Sequence, residues 1–153
     1  MNGAKSFRLF AEPVSETFRE PWKVDIIAHD LPLIPLENDQ SIPLGLRKML
    51  NGGGGGRKFI DFMIRNSPSH LTNGGGLFFV QPSFVKGGKQ ATARLLRENG
   101  FKPFLLEERK KPLRETILTQ KLKPFIEKRL GYLFPEDEKG SYFTMQAFLG
   151  IKN

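Results

Sequence analysis

The sequence contains no cysteine, and only two histidines, one tryptophan and two tyrosines in 153 residues. The missing thiol excludes disulfides, thiolate nucleophiles and cysteine-ligated metal. His29 and His70 stand far apart in the chain, which argues against a structural zinc. No apolar run is long enough to cross a bilayer, and the start, MNGAKSFRLF, has neither an apolar h-region nor a small-residue cleavage site. These absences predict a cytoplasmic protein with no membrane partner and no metal. Glu136-Asp137-Glu138 reads as a solvated acidic loop.

Hydrophobic residues at 39% and charged residues at 26% suit one soluble globular domain with a real core. The balance of 24 basic against 16 acidic residues gives +8. Such a charge favours anionic partners such as RNA, a ribosome or a phosphorylated cofactor, although most of it reads as solvated surface.

The informative stretch is VDIIAHDLPLIP, residues 24–35. Val24 to Ala28 reads as a short buried strand, bounded by breakers. In the segment that follows, Pro32 and Pro35 lack an N–H and push their predecessors out of the helical region. The chain therefore leaves a sheet at a strand's carboxyl end in a stiff extended loop, and in open α/β sheets ligands bind there.

Residues 6–11, SFRLFA, predict a first strand, and Ser15–Arg19 a helical turn. Residues 36–50 suit a loop or short helix over the pocket mouth. The five glycines 52–56 read as a flexible linker. With no preceding strand and no following GKS or GKT they are not a P-loop. Phe59, Ile60, Met63 and Ile64 make one apolar helix face, ended or kinked by Pro68, with a tight turn at Asn73-Gly74-Gly75. Leu77–Val80 is a second strand. Gly87-Gly88 opens a helix that Asn99-Gly100 closes. Phe101–Glu107, carrying Pro103, predicts a third strand near an edge. Residues 113–130 suit a basic helix or helix pair broken at Pro124. Tyr142–Ile151 alternates around Phe143, Met145, Ala147 and Leu149 and suits an antiparallel partner for the third strand. This order predicts an α/β fold with a mostly parallel sheet and a C-terminal antiparallel strand pair.

VDIIAHDLPLIP, LNGGGGGRKFIDFMIRNSPSHLTNGGGLFFVQPSF, ENGFKPFLLEE and SYFTMQAFLGIKN, taken in this order, resemble the HemK/PrmC-like class I S-adenosylmethionine-dependent methyltransferases. The resemblance covers roughly residues 6–151 and implies a partial Rossmann-like methyltransferase fold. VDIIAHDLPLIP stands where the family has a strand followed by Asn-Pro-Pro-Tyr. In the family the first residue of that tetrapeptide and a prolyl carbonyl hold a planar amide or amine nitrogen, and the aromatic ring stacks on it. Here the tetrapeptide reads Asp30-Leu31-Pro32-Leu33. The resemblance implies these four as the catalytic loop, with Asp30 accepting from the nitrogen and Leu33 lacking a ring to stack. It implies Glu12, Ala28 and His29 as cofactor contacts, His29 also reading as a cap on its strand. The family's first two strands, with the glycine-rich cofactor loop and the ribose-binding acid, have no counterpart, since no (D/E)xGxGxG occurs.

The function expected from this resemblance is S-adenosylmethionine-dependent N-methylation of a protein glutamine or nucleic-acid amino group. The missing strands imply an impaired activity, or a partner chain or homodimer completing the sheet. A different reading of the residues is a non-enzymatic basic α/β module binding RNA or a ribosomal partner. Lys89, Arg94, Arg97, Lys121, Lys123, Lys128 and Arg129 would then be phosphate contacts. Ser83 reads as a turn residue, with no hydrolase pattern around it.

Overall fold

The computed structural model describes residues 18, 22–30, 32–36, 45, 50–113 and 117–153, without the side chains of 117–119 and 121. The strand expected at 6–11, Glu12 and Leu31 lie outside the described residues, as do most of 36–50 and all of the turn expected at 15–19 except Phe18.

Strand β1, Val24–His29, pairs in parallel with β2, Leu71–Pro82. The pairing is in step from Ile26↔Gly76 to His29↔Phe79. Before that, the two-residue step from Val24 to Ile26 faces a five-residue step from Leu71 to Gly76. The slack falls in Thr72–Gly75, where Gly74 takes φ 75°. The turn expected at Asn73–Gly75 is thus an irregularity inside a longer strand, of the kind glycine permits.

Strand β3, Phe101–Pro112, runs five residues beyond its expected end at Glu107, and a two-residue strand β4, Glu136–Asp137, forms a hairpin with the start of β5, Gly140–Lys152. The main sheet has the order β1-β2-β5-β3. β1, β2 and β3 point the same way, and β5 lies antiparallel between β2 and β3. The antiparallel β3–β5 pair is as expected. The expectation of a mostly parallel sheet holds for strand direction but not for pairing. Because β5 inserts beside β2, one direct pairing of the main sheet is parallel and two are antiparallel.

Helix α1, Lys58–Asn66, ends in a 3-10 turn at Ser67–Ser69 with Pro68 in its first turn. Ser67 Oγ donates to Met63 O at 2.6 Å and Asn66 Nδ2 to Phe62 O at 2.7 Å, satisfying carbonyls the helix leaves open. Helix α2, Gly88–Glu98, closes through Gly100 at φ 81°. Helix α3, Ile117–Leu130, continues through Pro124 rather than breaking there. Burial of Leu122 and Ile126 on one side of α3 outweighs the hydrogen bond the proline removes.

Two apolar clusters result. In the first, Ile60, Met63 and Ile64 of α1 and Leu96 of α2 pack on Ile27, Leu77, Phe79 and Phe148 of the sheet. The second gathers Leu36, Phe84, Leu122, Ile126 and Phe134, with Leu113 and Phe143 against it. Leu36 follows β1, Phe84 follows β2, Leu113 follows β3 and Phe143 precedes the β2–β5 ladder, so this cluster sits at the carboxyl end of the parallel-running strands.

Both α1 and α2 lie on one side of the sheet. Strand alternation turns Ile26, Ala28, Phe78, Val80, Phe104, Met145, Ala147 and Leu149 to the other side. None of these eight belongs to either cluster, and all are half-buried or exposed. The alternation expected in β5 is present, but its buried positions are Gln146, Phe148 and Gly150.

Candidate functional site

The loop after β1 is held by backbone against backbone. Ile34 N donates to Leu50 O at 3.0 Å, and Gly52 N donates to Ile34 O at 2.7 Å, making a one-residue parallel bridge between Ile34 and Asn51. Leu36 N also donates to Ile34 O, at 2.8 Å. The glycine run then folds on itself. Gly53 N donates to Asn51 Oδ1 at 2.9 Å, Gly56 N to Gly53 O at 3.1 Å and Lys58 N to Gly52 O at 2.9 Å. Lys86 N, from the loop after β2, donates to Gly55 O at 2.9 Å.

The run is therefore a saddle under the Pro32–Ile34 segment, and the linker reading is corrected. A Cβ at Gly52 would sit 2.8 Å from Pro32 O and 2.9 Å from Leu33 Cα. At Gly56, with φ +71°, it would sit 2.5 Å from Leu33 O. Glycine is required here because two backbones touch with no room for a side chain between them.

Within this frame the expected site residues separate. Asp30 is exposed, at the point where β1 ends. Pro32 is half-buried, its carbonyl oxygen against Gly52. Leu33 is 7% exposed and belongs to the first core cluster, so it anchors the loop from below. A leucine with no polar tip is driven into the core. Ala28 is exposed on the side facing away from α1 and α2. His29 Nδ1 lies 2.9 Å from its neighbour's carbonyl, Asp30 O, so that nitrogen carries the proton and donates. The geometry suits a cap on the strand end.

The sequence reading missed a polar relay beneath the saddle. Arg57, the residue after the glycine run, donates through Nη1 to Thr92 Oγ1 at 2.9 Å and pairs with Asp61 at 2.8 Å. Thr92 donates to Gln81 Oε1 at 2.7 Å, Gln81 to Gln146 Oε1 at 3.0 Å, and Gln146 to Glu108 Oε1 at 2.8 Å. Every donor points from the guanidinium toward the carboxylate, and such chains polarise one another. Hydrogen bonds from Lys89, then from Gln146, hold the Glu108 carboxyl below its usual range. Gln81 was visible in the sequence only as a polar residue before Pro82; its burial gives it its meaning.

Ser83 Oγ accepts from Thr144 N at 3.0 Å and meets Tyr132 Oη at 2.6 Å, tying the loop after β2 to β5 and the chain after α3. It is a turn brace, as expected. Of the cations suited to phosphate contacts, Lys89 is bound to Glu108 at 2.9 Å, Arg94 faces Glu98 at 3.6 Å and Lys123 faces Glu136 at 3.2 Å. Arg97, Lys128 and Arg129 are exposed, and the Lys121 side chain lies outside the described residues. No group of three or more metal-ligating side chains occurs among the described residues, and none of their helices is long and apolar enough to cross a membrane.

No family model matches the sequence. The chain is 30% identical, over 96 residues, to a protein of Methanocaldococcus jannaschii described as a putative protein N5-glutamine methyltransferase. The match takes in 63% of this chain and 48% of that protein, so the chain spans about half the length of the relative. Among solved structures, it superposes on a chain of the E. cuniculi Mtq2-Trm112 complex, described as responsible for methylation of the eRF1 translation termination factor. There the identity is 18% and the TM-score 0.49, over 85% of this chain and 52% of the other. The chain is thus similar in sequence to a methyltransferase of the HemK-like kind, in agreement with the resemblance read from its motifs.

Proposed function

We propose that the chain is the substrate-side part of an S-adenosylmethionine-dependent N-methyltransferase acting on a planar nitrogen, in a protein glutamine or a nucleobase. The observation that carries this reading is the exposed Asp30 carboxylate on a loop fixed by the glycine saddle at the carboxyl end of β1. The match to a described glutamine methyltransferase supports it.

A carboxylate accepts and cannot donate, so Asp30 would take an N–H of the substrate amide or amine and turn its nitrogen toward the methyl donor. The backbone around Leu31 assists, and Pro32 contributes by stiffness, its own carbonyl being packed on Gly52. No strong base is needed, because the nitrogen loses its proton after attack. The gain comes from positioning, and a saddle that leaves the loop one path makes that positioning cheap in entropy.

The cofactor, when bound, supplies an electrophilic methyl group. The described residues alone do not fit it. Glu12 lies outside them, Ala28 brings no polar side chain, and His29 has committed Nδ1 to Asp30 O. β1 ends the sheet among the described residues, with its outer edge unpaired by any of them. We infer that the family's first two strands join this edge from a partner chain or a second copy, and that the fold is then the class I methyltransferase fold.

Titration calorimetry of the purified chain with S-adenosylhomocysteine is the test, followed by methyl-transfer assays on glutamine-bearing peptides and oligonucleotides. Micromolar binding, lost on removing the β1 edge pairing, supports the reading. Failure to bind or transfer, both alone and with a fragment carrying those strands, sinks it.

A further inference from the structure

Gln81, Gln146 and Glu108 form one row across three neighbouring strands, β2, β5 and β3. The row lies one residue short of Pro82, where β2 ends. Helix α2 closes both ends of it, with Thr92 on Gln81 and Lys89 on Glu108. Gln81 is fully buried and Gln146 is 4% exposed. Apolar residues of similar size would fill that space without needing every amide group answered. The direction of the chain is set by chemistry at its ends. A guanidinium only donates and an ionised carboxylate only accepts, so each glutamine between Arg57 and Glu108 has one orientation available. A donor in place of the Glu108 carboxylate would let both glutamines turn over. Gln81 would then donate to Thr92 Oγ1, which already accepts from Arg57 Nη1, and the Thr92 hydroxyl proton would lose its acceptor.

We infer that Arg57 and Glu108 are positioning residues for the loop that carries Asp30, coupled to each other through Thr92, Gln81 and Gln146. The link from Arg57 to the loop is short. Arg57 Nη1 also donates to Lys86 O at 3.4 Å, and Lys86 N donates to Gly55 O of the saddle. The saddle in turn bears on Pro32 and Leu33 through Gly52 and Gly56. An unbroken series of hydrogen bonds thus runs from a carboxylate on β3 to the frame of the loop after β1. Its far end is open to solvent, the side chains of Lys89 and Glu108 being 43% and 37% exposed. The bearing on catalysis rests on the methyltransferase reading; the coupling itself does not.

NMR on the full chain tests it, through side-chain N–H signals and amide hydrogen exchange. Glu108→Gln should shift the side-chain amide signals of Gln81 and Gln146 and the Nε–H signal of Arg57. It should also speed exchange at Gly56, Lys58 and Lys86 by about five- to tenfold, the scale of one hydrogen bond. Arg57→Lys, which keeps the charge and loses the fork, should speed the same amides, and the double variant should add little to it. Glu107→Gln, on the opposite side of β3 and bound to Arg109, should leave these signals and rates alone. Should Glu108→Gln fold poorly, Lys89→Met, which strips the same end from the surface, should move the same signals by less. Unchanged exchange at the saddle, effects that multiply in the double variant, or an equal effect from Glu107→Gln overturns the coupling. In the assembly completed for transfer, Glu108→Gln should lower kcat about tenfold and leave KM for S-adenosylmethionine unchanged. An unchanged kcat there removes the positioning role. An assembly that transfers no methyl even with wild-type sequence, while the exchange coupling is present, counts against the methyltransferase reading and leaves the coupling standing.

Discussion

The sheet has two sides made from the same four strands, and they have had different fates. On one side Phe79 and Phe148 stack with centroids 5.7 Å apart under α1 and α2. On the other, Phe78 and Leu149 are just as apolar and just as regularly placed, and neither belongs to a core cluster. Periodicity in a strand tells which residues must leave water. Whether the same chain supplies the cover depends on helices many residues away, and α1 and α2 both pack on one side.

The sharpest way to break this comparison is a pair of neighbours on β5. Phe148→Ala should cost about 3–5 kcal/mol, and Leu149→Ala about 1 kcal/mol, by urea denaturation. Equal losses would mean that both sides are packed. Gly56→Ala comes next, because Leu33 enters the covered side through the saddle; a loss of roughly 2–4 kcal/mol is expected from left-handed backbone plus the clash with Leu33 O. Hydrogen exchange should speed up in 33–36 and 52–56 and stay unchanged at Phe78 and Leu149.

A smaller effect separates the sides by pH. His70 is buried on the helix side, its ring 4.3 Å from that of Trp22 and 4.9 Å from that of Phe18, with Nδ1 unpartnered. Burial lowers its pKa below the ordinary 6.5. The folded state favours neutral His70, so its contribution is full above pH 6.5 and is lost as pH falls toward and through the lower folded value. Thermal melts should show this acid loss, and His70→Phe should remove it. Smallest for stability is Asp30→Asn, on neither side, which should move the melt by less than about 0.5 kcal/mol. In the intact assembly Asp30→Ala, which removes the acceptor altogether, should weaken methyl transfer. Unchanged transfer would remove Asp30 from the site.

What could be read from the residues alone follows the range of the forces involved. β1 and its proline-stiffened exit, α1 with its apolar face and the glycine close of α2 are all local, and all were legible. The β3–β5 pair was legible too, as complementary strands near the end of the chain. The insertion of β5 beside β2 was not, because Val80 and Ala147 pair across a separation no local pattern records. Gln81 and Gln146 looked like polar interruptions, and only their mutual bond at 3.0 Å explains their burial. The glycine run was misjudged for a related reason. A flexible tether and a close backbone contact have the same composition, and the residues that tell them apart, Pro32 and Leu33, lie on a different segment.

The saddle also separates shape from chemistry. Since the loop's course is set by main-chain hydrogen bonds and by glycines pressed on main-chain atoms, it does not rely on which side chain tops the loop at position 30. Such a scaffold tolerates a change at the exposed position 30 without refolding. Asn could replace Asp30 as a single independent step. An aromatic could not replace Leu33 in this way, because that position is also the loop's anchor, so a ring there would have to fit the core or tear the loop from it. New specificities on this fold should therefore arise first at the exposed end of the loop and last at its buried one.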